Sequence, residues 1–294
     1  MPHEPRKQVS GETLEILGFL VDVNAMTITL PREKLDNLLM TIHDFCSAES
    51  GRQTRRRFMQ LAGSMSWSLY VFPMLKPGLR ALHQKISSSS EKGPHAEIYI
   101  SNTIKFELDW FARHAETLDG VYFMESIAWE RSQANHVFFC AASRQKGLGC
   151  FYREGSTAFR TAAPPETDMG FLKALSICWA IHIADRRNLE GRILFFTDNL
   201  ATVKLFESLH ASDARSNPIL LSAIDILIKR RFRIQVAVDS GEKGYYAIAN
   251  ALAQGQIGRL RNKSPTVSIV DIEPLPVLAS PKENTGWFSW YDPA

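Results

Sequence analysis

Residues 192–198, RILFFTD, form a near-continuous apolar run that stops at an acid, and a polar Asn199 and a helical pattern follow at once. An apolar run of this length reads as a strand in the interior of a sheet, with helices packed against it. The acid at its end is the second constraint. A carboxylate at a strand end is costly to half-bury unless it is paired, hydrogen-bonded or holding a metal, so Asp198 needs partners.

The surrounding pattern supplies a sheet for that strand. HVFFCAAS (136–143) and GLGCFYRE (147–154) are apolar strands joined by a short polar turn, and STAFRTAA (156–163) is a weaker third. A long apolar-faced helix over 167–187 leads into the strand at 192–198. Helices at 200–210 and 217–232, a strand at 233–239 and a last helix at 246–260 complete the order β-β-β-α-β-α-α-β-α. A meander followed by strands alternating with helices predicts an α/β (α+β) fold with a mixed five-stranded sheet and helices on both faces. Upstream the chain is mostly helical after a hairpin at 14–31, with helices predicted over 32–48, 55–72, 75–86 and 97–116. Thr54 is placed to cap the second of these. The predicted organisation is an arm (1–11), a hairpin and helical segment (12–125), an α/β domain (126–262) and a proline-rich, aromatic tail (263–294).

Composition excludes some classes. Hydrophobic residues make up 45% and charged residues 22%, ordinary for a globular chain. No apolar stretch reaches ~18 residues, and the first residues carry no secretory pattern, which predicts an intracellular protein, cytoplasmic or nuclear, with no membrane partner. Cys46, Cys140, Cys150 and Cys178 lack CxxC spacing and read as reduced thiols. The net charge is only +3, but it is unevenly spread. From Gly51 to Lys85 there are seven Lys or Arg (Arg52, Arg55, Arg56, Arg57, Lys76, Arg80, Lys85) and no Asp or Glu. Lys229, Arg230 and Arg231 form a second cluster with Arg233, and Arg259 to Lys263 a third. Such runs are either solvated helix faces or phosphate contacts, and three of them in a near-neutral chain predict nucleic acid as a partner.

Local motifs, taken in order, resemble ribonuclease H as carried by retroelement polymerases. The first strand ends Ala141-Ala142-Ser143, and Gly147-Leu148-Gly149 follows on the next. Phe171-Leu172-Lys173-Ala174 stands where the family has Glu-Leu-x-Ala. Thr197-Asp198-Asn199 reproduces the family's Thr-Asp-Asn, and Ala249-Asn250-Ala251-Leu252 stands where it has Ala-Asp-x-Leu. The upstream helices are similar to the thumb and connection of the same polymerases. The resemblance covers about residues 12–262 and points to tyrosine-recombinase and gypsy-like retrotransposons. It implies duplex or RNA–DNA hybrid binding, with a phosphate-contacting face at Arg55, Arg56, Arg57, Lys76, Arg80, Lys229, Arg230 and Arg231.

The resemblance also implies a nuclease site of four carboxylates holding two divalent metals, at positions that here are Ala141, Phe171, Asp198 and Asn250. Asp198 alone is acidic. Two divalent ions ~4 Å apart repel by roughly 4 kcal/mol even in bulk water, which one carboxylate cannot offset. The expectation is therefore a protein without a palm and without polymerase or nuclease chemistry, needing no cofactor, with Asp198 the one charged metal ligand left and Asn250 a weak, uncharged one. Two alternatives stay open. Glu166, Asp168, Asp239 or Glu242 could supply displaced ligands to magnesium or manganese in a working ribonuclease, or the basic runs could be solvated in a protein-interaction scaffold. His182, on an apolar helix, reads as a satisfied core or boundary residue. The WFSWY stretch (287–291) could stack bases or dock on its own domain.

Overall fold

The computed structural model describes residues 11–123, 128–162, 168–239 and 244–272. The chain divides into two units, residues 1–128 and 129–294. The predicted arm, Glu166, Glu242 and the WFSWY stretch lie outside the described residues.

In the first unit, β1 (Thr13–Ile16), β2 (Phe19–Asp22) and β3 (Thr27–Thr29) form an antiparallel meander, and β6 (Val121–Tyr122) pairs with β3. The β1–β2 turn uses Leu17 and Gly18, both at positive φ, as a tight two-residue hairpin turn requires. Gly18 is also needed for space, because a Cβ there would lie 2.9 Å from the Trp67 ring. α1 (Arg32–Cys46) buries Leu35, Leu38, Ile42 and Phe45 on one face. β4 (Arg52–Thr54) runs directly into α2 (Arg55–Ser68), whose first turn is capped by Thr54 Oγ1 accepting from the Arg57 N–H at 3.3 Å. A short 3₁₀ segment (Pro73–Leu79), α3 (Arg80–Ser88) and α4 (Asn102–Thr117) close the core, with Phe58, Phe72, Trp110 and Phe111 fully buried. The helix predicted from residue 97 begins five residues later. Ile98 and Ile100 are both buried, and residues 97–99 form β5 (Glu97–Tyr99), which pairs with β4. Ser101 Oγ accepts from the Ile104 N–H at 3.3 Å and starts α4 there.

The second unit is the predicted mixed sheet with one strand more. β7 (His136–Ser143), β8 (Gly147–Tyr152) and β9 (Thr157–Thr161) are antiparallel. β10 (Arg192–Thr197) lies parallel to β7, and β11 (Arg233–Val238) parallel to β10. The sixth strand is β12 (Ser268–Asp271), which pairs parallel with β9 and sets Asp271 in an ion pair with Arg160. The order is β11-β10-β7-β8-β9-β12, a mixed sheet consistent with the ribonuclease-H-like class that the motifs suggest.

Side chains alternate between the two faces of this sheet. Val137, Phe139, Ala141, Phe151, Leu194 and Ala237 form one layer with Ala249, Leu252 and Ala253 of α8 (Tyr245–Ala253) and Leu260 of α9 (Ile257–Lys263). The intervening residues Phe138 and Phe195 stack on each other with ring centroids 5.4 Å apart. α5 (Met169–Arg186) packs against β7, and α7 (Asn217–Arg230) packs against α5, while α6 (Leu200–Ser208) lies on β11. Among the described residues no helix is long and apolar enough to cross a membrane.

Two features of this unit can be tested directly. α8 sits on bare backbone: a Cβ at Gly149 would lie 2.2 Å from the Ala249 carbonyl oxygen and 2.6 Å from the Ala253 nitrogen. Gly149→Ala must push the helix off the sheet and should cost at least about 2 kcal/mol, read as a lower denaturation midpoint. At the α5–α7 contact, His182 Nε2 and Ser222 Oγ are 2.9 Å apart. Burial, then the nearby Arg186, lowers the His182 pKa to about 4 from 6.5. The folded state therefore resists a proton that the unfolded chain accepts. Stability is retained above pH 6.5 and falls by roughly 3 kcal/mol on the way to pH 4. A His182→Gln variant, melted alongside the parent across that range, should lose this component of the acid sensitivity.

Candidate functional site

The end of β10 carries the acid. Phe196 pairs with Phe139 at the end of the parallel β10–β7 ladder, and Asp198 and Ala141 each lie two residues further along their own strand direction. Ala141 in turn pairs with Gly149 on β8. On the other neighbour, the Asp239 N–H donates to the Thr197 carbonyl at 2.9 Å. Two helices reach the carboxylate from outside the sheet. Lys173, in the second turn of α5, places Nζ 2.7 Å from Asp198 Oδ1. Its side chain is 15% exposed against 47% for Asp198, so the lysine is largely packed while the carboxylate stays about half in water. From α8, the Tyr246 hydroxyl is hydrogen-bonded to Asp198. Burial, and next the Asp198 charge, push its pKa well above the ordinary phenol range. Tyr246 therefore stays a neutral hydroxyl throughout the physiological range.

The other three positions that the resemblance singled out are placed as follows. Phe171 is 8% exposed and its N–H is held by Asp168, whose Oδ1 accepts it at 2.9 Å as the cap of α5. Asn250 lies one turn beyond Tyr246 on α8 and is exposed. Asp168, a candidate displaced ligand, is committed as that cap, and its other oxygen pairs with Arg215 at 3.0 Å. Among the described residues no group of three or more His, Cys, Asp or Glu is arranged to hold a metal ion. Sequence reading did not single out Lys173 and Tyr246. The Lys173 signal was present, since a cation near the start of an otherwise apolar helix implies a counter-charge. Tyr246 had none, because its role depends on how α8 docks.

The basic residues divide into used and available. Arg80 is a correction to the expected phosphate face: it is 7% exposed, with its guanidinium 3.8 Å from the equally buried Glu107 and bonded to Gln84 Oε1 at 2.8 Å. Glu107 Oε2 also accepts from the Ala81 N–H at 2.6 Å, at the start of α3. Arg230 is partly exposed and already engaged. It pairs with Asp185 and donates to the Asp185 carbonyl at 3.0 Å and to Asn188 Oδ1 at 2.7 Å, holding the end of α5. Lys229 lies 3.8 Å from the same Asp185, and Arg231 is exposed at the left-handed end of α7. Lys76 is exposed in the 3₁₀ segment.

Arg55, Arg56 and Arg57 occupy the first turn of α2, where the helix dipole is already positive and no acid is present to offset them. Their backbone N–H groups are taken by the Ala96 and Pro94 carbonyls, each at 2.9 Å, and by Thr54 Oγ1, so the turn is fixed. Arg56 and Arg57 are exposed, and Arg57 donates to the neutral Gln53 Oε1 at 3.1 Å. Among the described residues these three arginines form no ion pair.

No known protein family and no curated protein matches this sequence. Among solved structures, the chain is similar to a foamy viral protease-reverse transcriptase in complex with an RNA/DNA hybrid, at 14% identity and a TM-score of 0.28, over 77% of this chain and 29% of that one. It is similar also to the dRH form of that protein in complex with double-stranded DNA (14% identity, TM-score 0.27, 78% of this chain and 38% of that one). A third is the native prototype foamy virus protease-reverse transcriptase (12% identity, TM-score 0.32, 57% of this chain and 29% of that one). The chain thus spans between 29% and 38% of the length of these proteins.

The Lys173–Asp198 pair can be isolated by a double-mutant cycle. Lys173→Met and Asp198→Asn should each lower stability. Their combination should cost less than the sum, with a coupling of up to about 1 kcal/mol for a partly exposed pair. Strict additivity in denaturant melts would show that the two charges do not support one another.

Proposed function

We propose that this chain is a retroelement-derived, ribonuclease-H-like protein that binds nucleic-acid duplex or RNA–DNA hybrid without cutting it. The observation that carries the reading is the first turn of α2. Three arginines sit at the positive end of a helix with their backbone fixed, no acid in the same turn and no ion pair among the described residues, an arrangement that is unfavourable alone and favourable against phosphates. The absence of cutting is supported by the donor set at the strand end, which does not fit a pair of divalent metals. Asp198 is the one carboxylate among the family positions, and the Lys173 ammonium already stands on it. A divalent ion ~4 Å from that ammonium would be repelled by roughly 2 kcal/mol in bulk water, and by more in a protein environment.

Binding should be weak, nearly indifferent to sequence, and steeply salt-dependent, with a log–log slope of about −0.9 per phosphate contact on duplex DNA. Replacing Arg55, Arg56 and Arg57 together should flatten that slope by about two to three units while weakening all sequences alike. Fluorescence anisotropy across a salt series measures both. No binding at low salt would leave the protein-scaffold reading in its place. Incubation of a hybrid with magnesium or manganese should release no product above background. Cleavage abolished by Asp198→Asn would revive a nuclease with displaced acids.

A further inference from the structure

We propose that Tyr99, with Arg52 beside it, is a stacking platform for an unpaired nucleotide adjoining the duplex, an inference that rests on the nucleic-acid reading above and specifies its partner. The β4–β5 ladder pairs Arg52 directly with Tyr99. Gln53 and Ile98 between them point inward and are buried, so residues 52 and 99 share the outer face of the ribbon. Tyr99 is 55% exposed while Ile98 and Ile100 on either side are buried, which leaves a large ring presented to solvent from a fixed backbone. Gly51 adjoins it at positive φ. A Cβ there would lie 3.5 Å from Tyr99 Cε2, so the glycine leaves that side of the ring uncovered.

Charge complements the ring. β4 continues without a break into α2, so Arg55 and Arg56 open the helix directly after the strand that carries Arg52, and the Arg56 N–H is tied to the Pro94 carbonyl in the segment leading to β5. Glu97 is the acid on this face, and it lies opposite Thr54 rather than Arg52. An exposed aromatic face with an exposed arginine paired beside it fits a base on the ring and its phosphate on Arg52. Every base has such a face, so the contact selects for an unpaired nucleotide and not for a sequence. A blunt duplex offers no free base to the ring.

The test uses the full chain and two fluorescent probes, a blunt duplex and the same duplex with a single-stranded extension. The parent protein should prefer the extended probe. Tyr99→Ala should lose about 5- to 100-fold in affinity for it, the range of one base stack, with blunt-duplex affinity and salt slope unchanged. Tyr99→Trp should keep the preference, and Arg52→Gln should lower the slope on the extended probe by about one. Equal binding of both probes by the parent, or an equal loss on both probes in Tyr99→Ala, would overturn the platform while leaving duplex binding in place. Failure of the parent to bind either probe would remove the nucleic-acid reading itself.

Discussion

Burial of β7 and β10 on both faces is the constraint from which the second unit follows. Val137, Phe138, Phe139 and Cys140 are all buried, so helices must cover both sides of the strand that carries them. That requirement brings α5 to one face and α8 to the other, and the geometry at the strand end is its by-product. A lysine near the start of α5 and a tyrosine near the start of α8 converge on the acid that ends β10. Gly149 makes the approach of α8 possible at all, since its missing side chain is the space in which Ala249 and Ala253 sit. The site is thus less a set of residues placed on a scaffold than a consequence of closing two layers over one strand.

The same logic separates structural charges from available ones. Glu107 and Arg80 are buried together, and removing either would leave an uncompensated charge worth about 3–5 kcal/mol of destabilisation. Arg230 ties Asp185 and Asn188 at the end of α5. Both arginines lie in basic stretches of sequence that look alike on paper, yet Arg80 is enclosed in the core and Arg230 is tied to acceptors at the domain surface. Those of the α2 first turn meet no acid among the described residues, so their concentration at the wrong end of a helix dipole stands out.

What was legible in the sequence follows from length and polarity. β7, β10 and α5 were readable because long apolar runs permit few alternatives. The cap at Thr54 was readable because its chemistry is local. β12 was not, since four residues with polar ends, flanked by prolines, gain their identity only by pairing with β9. β5 was absorbed into a helix for the same reason: the pairing that makes it a strand comes from β4, more than forty residues earlier. The strand-end acid was found, but its partners were not. One sits two residues beyond Phe171, and the other on a helix whose docking no short motif encodes. Arg80 shows the converse error, since a charge count cannot see a glutamate 27 positions later folding over it.

The uneven burial of Ala141, Phe171 and Asn250 decides where this domain could accept a further acid. Asn250 is exposed, so a carboxylate would be hydrated there and a single substitution could install one at little cost to folding. Ala141 and Phe171 are buried, at 1% and 8% exposure, and Lys173 is already committed to Asp198. A new acid at either of those positions would enter the core without a counter-ion, and each would have to be tolerated before the others could make it useful. The three positions are therefore unequal hosts for a new charge: an acid at 250 would stay in water, while one at 141 or 171 would have to be carried by the core.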